Sequence, residues 1–350
     1  MAGSIFMALR QELLLFRSPD IMEIISKIAV FALLLGFSGF VLQAKAQTCS
    51  CAGAPLVSSQ SGGTVGKGAF LVGYTFDFKD ISDLYNGSNE LVNNTVSRNT
   101  STSLLEMHYG ISERIAVTTT FTYVNKFRET GLHLDNRSQK LRTTGVGDAM
   151  LLVKYNIHPQ TVFEQYQVIL GAGVKAPLGE SSLRNNGFML NADMQPGTGA
   201  WDGVLWMYSS KTFPGINTEL FLMKSFRYSG TNERFSSDDR YRFGNEFVTS
   251  AGAGGRLFRD ISYRLGFQFR TAASDTRNSA MMPDTGGSWV SAKPAFITPF
   301  PFLEGASIQF SGNIPVYQYV KGTQPTISYT LSASLFIGFG GDKLLGITDF

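Results

Sequence analysis

Glu106 and His108 stand two residues apart, which puts a carboxylate and an imidazole on one face of an extended strand. They are the one pair in this chain suggestive of proton transfer. No ordered Ser, His and acid pattern accompanies them, and catalysis is not expected. Cys49-Ser50-Cys51 brings together two thiolates, ligands that suit Cu(I) or Zn(II). Two ligands do not complete a site, and His108, His133 and His158 are scattered, so no metal or other cofactor is expected. Gly197-Thr198-Gly199 is followed by no helix pattern and is not a nucleotide loop.

The remaining chemistry lies in polar side chains at alternate positions. Asp77, Lys79, Glu106, His108, Asp148, Lys154, Lys175, Arg264, Gln268, Arg270, Lys293 and Gln309 would point into one lumen if the apolar positions between them face outward. Opposed charges around a constriction set a transverse field that selects solutes by charge and size. Leu104, Met150, Leu152 and Ile169 would join this lining and favour modestly apolar solutes over ions. The other reading is that the charges pair with one another and plug a narrow barrel. Asp148 and Asp202 each come after a Gly-x-Gly at a strand start. They serve as loop anchors or solute contacts, or simply form turns through Asx hydrogen bonds.

The elements that must position these groups are strands. Phe70, Val72, Tyr74, Phe76 and Phe78 share one face while Gly73, Thr75, Asp77 and Lys79 share the other. Ile261, Tyr263, Leu265, Phe267 and Phe269 alternate with Ser262, Arg264, Gly266, Gln268 and Arg270. Twelve such segments are expected: 68–79, 101–109, 114–124, 145–156, 165–176, 200–210, 216–227, 244–256, 261–272, 288–298, 305–318 and 325–339. Ten or fourteen strands are the alternatives. Long and short connections alternate, as in an outer-membrane barrel with short periplasmic turns and long extracellular loops. Residues 94–97 show no periodicity and read as a mobile loop. In 200–210 neither face is polar, Lys224 shares a face with Leu220 and Leu222, and Pro294 and Pro315 fall inside strands. Each proline deletes a ladder donor and marks a bulge or a strand end.

Composition agrees. The 350 residues carry 30 basic and 27 acidic side chains, a net charge of +3, with only 16% charged and 13% aromatic. That balance excludes the concentrated basic face of a nucleic-acid binder, and the aromatic content excludes a disordered chain. A mean hydropathy of +0.00 excludes a bundle of transmembrane helices. A soluble sandwich also alternates. Here, however, the polar faces are rich in Gly, Ser and Thr rather than in charge, and Tyr74, Phe78, Tyr109, Tyr123, Tyr155 and Phe269 collect at strand ends as interfacial girdles.

Lys27, the apolar run Ile28 to Leu42 and Ala44-Lys45-Ala46 read as a secretion signal cut before Gln47, with Met22 as an alternative start. The expected organisation is a signal peptide (1–46), a flexible or plug-like periplasmic leader (47–67), a barrel (68–339) and a tail (340–350).

Three segments carry a resemblance. Gly145-Val146-Gly147-Asp148 opens a strand ending Val153-Lys154-Tyr155, Gly173-Val174-Lys175-Ala176-Pro177-Leu178-Gly179 closes the next, and Gln195-Pro196-Gly197-Thr198-Gly199-Ala200-Trp201-Asp202 opens the one after. Over about residues 100 to 340 the chain resembles the SphA-like outer-membrane transporter family, named for the meta-pathway of phenol degradation. Its usual Pro-Thr-Gly reads Pro177-Leu178-Gly179 here. The resemblance implies a channel for small, often hydrophobic compounds.

The expectation is therefore an all-β, antiparallel, up-and-down transmembrane barrel in the bacterial outer membrane after Sec export. It would be a passive channel for small, modestly hydrophobic molecules. Its partners would be outer-membrane lipid, the solute and the barrel-assembly machinery, with no nucleic acid. The alternative is a structural barrel, closed inside, whose loops bind a partner.

Overall fold

The computed structural model describes residues 63–93, 95–131, 138–161, 164–236, 239–258 and 260–340. The signal peptide with Met22, Cys49 and Cys51, the leader up to residue 62, His133 and the tail from residue 341 lie outside the described residues.

Twelve strands form one wall: β1 Phe70–Ile81, β2 Val96–Gly110, β3 Ile115–Thr130, β4 Ala149–His158, β5 Tyr166–Ala176, β6 Asp202–Phe213, β7 Thr218–Tyr228, β8 Glu246–Arg256, β9 Ser262–Ala272, β10 Gly287–Pro299, β11 Ala306–Thr326 and β12 Tyr329–Phe339. Each pairs antiparallel with the next, and β12 returns to β1 in register from Phe70↔Phe339 to Asp80↔Tyr329. The fold is a closed twelve-stranded barrel, as expected. Closure removes the sheet edge that would leave backbone donors and acceptors unpaired.

The faces fall as the alternation requires. On β1, Tyr74 and Phe76 are 47% and 42% exposed, whereas Thr75 and Asp77 between them are 3% and 6% exposed. Tyr109, Tyr123, Tyr155 and Phe269 also stand on the outside. An apolar exterior around a buried polar interior is the reverse of a soluble sandwich. No helix among the described residues is long and apolar enough to cross a membrane.

Several boundaries differ from expectation. β2 starts at Val96 rather than 101, so residues 96 and 97 belong to the wall. Asn93 ties down this start: its Oδ1 accepts from the backbone N–H groups of Thr95 and Val96, and its Nδ2 donates to the carbonyls of Ser82 and Val96. An Asx cap is local chemistry that periodicity does not register. Gln139–Val146 pairs with the upper half of β3, one residue out of step with β4. The step is absorbed at Gly147-Asp148, where both residues are buried. A Cβ on Gly147 would lie 2.3 Å from Thr122 Oγ1. Gly147→Val is expected to cost about 1–3 kcal/mol through overpacking, measurable as a lower urea midpoint of the refolded barrel.

The long loops hold short ladders of their own. Thr231–Ser236, Asp239–Arg242, Thr276–Arg277 and Ala280–Met281 form a separate four-stranded sheet. Its core is Phe235, Tyr241 and Phe243 with Ala192, Met189 and Met282. Runs of two to six residues are too short to show a period.

Both prolines mark irregularities. Between β10 and β11 the ladder passes from Ala292↔Ile314 to Ala295↔Ser311 in unchanged register, leaving Lys293 and Pro294 unpaired with β11, and the register shifts beside Pro315. On the other side Pro294 still faces Leu265 of β9.

Candidate solute pathway

Segments outside the wall pack against its inner face at both ends. At the short-turn end, Val65 is buried with Leu71, Ala116 and Phe336, all on inward positions. Hydrogen bonds Gly68 N–H to Gly110 O (2.8 Å) and Gly110 N–H to Ala69 O (3.0 Å) hold this segment to β2.

At the long-loop end, residues 191–198 between β5 and β6 are held against the inner faces of β2 and β3. Lys126 Nζ donates to the carbonyls of Asp193 (2.8 Å) and Gln195 (2.7 Å), and Thr143 Oγ1 donates to Met194 O (2.6 Å). Arg98 Nη1 lies 2.8 Å from Asp193 Oδ2, with Arg128 at 3.9 Å. Met194 and Gln195 are buried as a result. Burial alone would raise the Asp193 carboxyl above its ordinary value of 3.8, but Arg98, Arg128 and Lys126 outweigh it and hold it lower. A depressed carboxyl stabilises the fold above its unfolded-state value and loses that contribution as pH falls through the folded one. The loop is therefore expected to stay docked from neutral pH to about pH 4 and to loosen only below that, which amide exchange across 191–197 as a function of pH would follow.

A buried ion network anchors the base of the same loop. Lys175 Nζ contacts the Asp148 and Asp202 carboxylates, the latter at 3.3 Å, and donates to Thr198 Oγ1 and to Ala200 O. Asp148 also accepts from the backbone N–H of Thr198 (3.0 Å) and Gly179 (3.2 Å), and Asp202 from that of Gly230 (3.0 Å). These partners are 28 to 50 residues away. The Asx-turn reading of the two aspartates gives way to long-range bracing: the loops return to the strand ends, and the carboxylates accept from them rather than from their own turns.

Between the two ends, Glu106, His108 and Lys154 form a buried cluster. His108 Nε2 is 3.5 Å from Glu106 Oε2, and Nδ1 is 2.8 Å from Thr118 Oγ1. Lys154 Nζ sits 4.7 Å above the Trp206 ring and makes no hydrogen bond among the described residues. On the opposite wall Arg227 and Arg270 share Glu246, at 2.8 and 2.9 Å. Arg270 lies over Trp289 at 4.6 Å, and Gln268 donates to Ser250. Tyr208 donates to Glu219 (2.7 Å) and accepts from Arg264 Nη2 (3.0 Å).

The lining candidates Asp77, Glu106, His108, Lys154, Lys175, Arg264, Gln268 and Arg270 thus occupy inward positions, but they do not form one group. Glu106, His108 and Lys154 come together. Lys175 is taken up by the loop anchor, and Arg264, Gln268 and Arg270 stand on another wall. Lys224, as its neighbours imply, is on the outer face beside Leu222. Sequence reasoning missed Arg98, Lys126, Asp193, Trp206, Tyr208, Glu219, Arg227 and Glu246. Arg98 and Lys126 continue the inward alternation of β2 and β3 past the expected strand ends. That continuation is the signal that could have found them. In β6 two apolar faces hide the inward role of Trp206 and Tyr208. Among the described residues no cluster of three or more His, Cys, Asp or Glu is placed to hold a metal.

No family model matches the sequence, and no curated protein matches it. Solved structures do. The COG4313 outer membrane channel from Pseudomonas putida F1 superposes with a TM-score of 0.65 at 13% identity, covering 81% of this chain and all of that one. The CymD monoaromatic hydrocarbon channel (TM-score 0.38, 10% identity, 79% and 90% covered) and a Pseudomonas aeruginosa FadL homologue (0.37, 10%, 77% and 89%) superpose too loosely to carry an argument. The first likeness shows a shared fold, that of an outer-membrane barrel.

Proposed function

We propose that this chain is a non-enzymatic outer-membrane channel that passes small, modestly hydrophobic molecules by passive diffusion. The observation that carries the reading is the inversion of the barrel, with an aromatic and aliphatic exterior around a charged, partly apolar interior. In hydrocarbon only a closed barrel satisfies every backbone group of such a sheet. The shared fold with a barrel described as an outer membrane channel agrees with it. Kinship with the SphA-like family rests on the glycine-rich motifs at 145–148, 173–179 and 195–202. Export through the Sec pathway, insertion by the barrel-assembly machinery and outer-membrane lipid as surroundings belong to the same proposal.

The occupied ends of the lumen favour a second reading, a barrel closed inside whose loop sheet binds a partner. Reconstituted protein separates the two. Unitary currents in planar bilayers, and liposome swelling graded by solute size and polarity, are expected for the channel. Protein that inserts yet gives neither would overturn it in favour of the closed barrel.

A further inference from the structure

One cavity belongs to neither end of the lumen. It lies between β6–β7 and β9–β10, beside the break in the β10–β11 ladder, has a volume of about 50 Å³ and opens to solvent. Its lining includes Tyr208, Phe221, Met223, Arg264 and Lys293.

The apolar part is built by a glycine. A Cβ on Gly266 would stand 3.1 Å from Phe221 Cζ, so only glycine lets that ring lie against the wall without displacement. The Arg264 guanidinium stacks on Phe221 at 4.0 Å and is oriented by its bond to the Tyr208 hydroxyl, itself fixed on Glu219. Lys293 is different. It faces the same cavity, and its ammonium makes no hydrogen bond or close ion pair among the described residues. The charged groups acting on it are Asp77, Lys79 and Arg264, so cations outnumber the carboxylate.

A cation without a close partner, beside an oriented guanidinium and an aromatic wall, is chemically incomplete. A neutral solute leaves the ammonium unsatisfied, and a second cation is repelled. A strongly hydrated inorganic anion gains nothing from the apolar wall. A carboxylate accepts charge-assisted bonds from both cations, and an apolar body covers the rings. We propose that this cavity binds a small monocarboxylate with an aromatic or short aliphatic body, the carboxylate on Lys293 and Arg264 and the body against Phe221, Tyr208 and Met223. This deepens the channel reading and rests on it for transport.

The test is titration calorimetry of the full barrel folded in detergent, with benzoate, benzamide, benzylammonium and inorganic phosphate as probes. Benzoate is expected to bind about tenfold or more tightly than benzamide, from one charge-assisted contact, with benzylammonium and phosphate weaker still. Lys293→Gln is expected to remove that advantage and leave benzamide unchanged, and Lys293→Arg to restore it. Unshifted heat-modified migration certifies that each variant folds. Equal binding of benzoate and benzamide, phosphate as the tightest ligand, or a Lys293→Gln barrel that keeps its benzoate preference would overturn the site. Flux through proteoliposomes is measured separately. Benzoate binding without flux of any solute leaves the site standing and removes the channel; flux without benzoate binding does the opposite.

Discussion

Exchange of Lys175 for Met is expected to lower the stability of the barrel by about 3–5 kcal/mol, the cost of stripping the partner from a buried charge. Lys175 is 2% exposed, and Asp148 and Asp202, which it bridges, are as deeply buried. Without the ammonium two carboxylates face each other in a low-dielectric wall, and Thr198 and Ala200 lose a donor. Urea unfolding followed by tryptophan fluorescence, with heat-modified gel migration as the index of folded barrel, would read the loss. Neutralising the aspartates as well, in the Lys175→Met, Asp148→Asn, Asp202→Asn variant, is expected to recover part of it, because the two carboxylates then no longer face each other without their cation. A triple variant as unstable as the sum of its single changes would mean that the three residues act independently and that the network is not a unit.

The second large effect concerns the loop rather than the wall. Arg98→Ala with Lys126→Ala removes the ion pair to Asp193 and the two bonds to the carbonyls of Asp193 and Gln195. Hydrogen bonds to charged groups are worth about 1.5–3 kcal/mol each. The open loop is therefore expected to become at least about tenfold more populated, since 1.4 kcal/mol is a factor of ten. Limited chymotrypsin cleavage at the exposed Phe188 is expected to accelerate by that factor while the barrel remains folded. In bilayers the same variant is expected to conduct more, because residues 191–198 lie against the inner faces of β2 and β3. An unchanged cleavage rate would show that Thr143 and the Lys175 network hold the loop without help.

The two predictions describe one construction principle. The network at Lys175 fixes where the β5–β6 loop leaves and re-enters the wall, and Lys126 with Arg98 fixes where its middle rests. The wall is built by register, and the lumen is shaped by charges that reach across it. The carboxylate cavity fits this plan, since Lys293 is an inward cation that no loop among the described residues has claimed.

Strand number, closure and the face of most side chains outside β6 were legible from residue order, because a strand has a period of two and a sealed barrel needs one face suited to hydrocarbon. Phe76 and Asp77 are opposite sides of one wall by arithmetic alone. The inward cations of β4, β5 and β9 follow from the same count. Which inward charges meet did not follow. Lys175 and Asp148 are neighbours only because β4 and β5 pair with Met150 opposite Lys175, after a one-residue step at Gly147-Asp148. Arg264 and Lys293 share a cavity because the β9 and β10 registers place them beside Gly266. Residue order sets what each side chain is and which way it points. Register, bulges and the return path of a loop set its partner, and these depend on contacts between segments tens of residues apart, which no local pattern encodes.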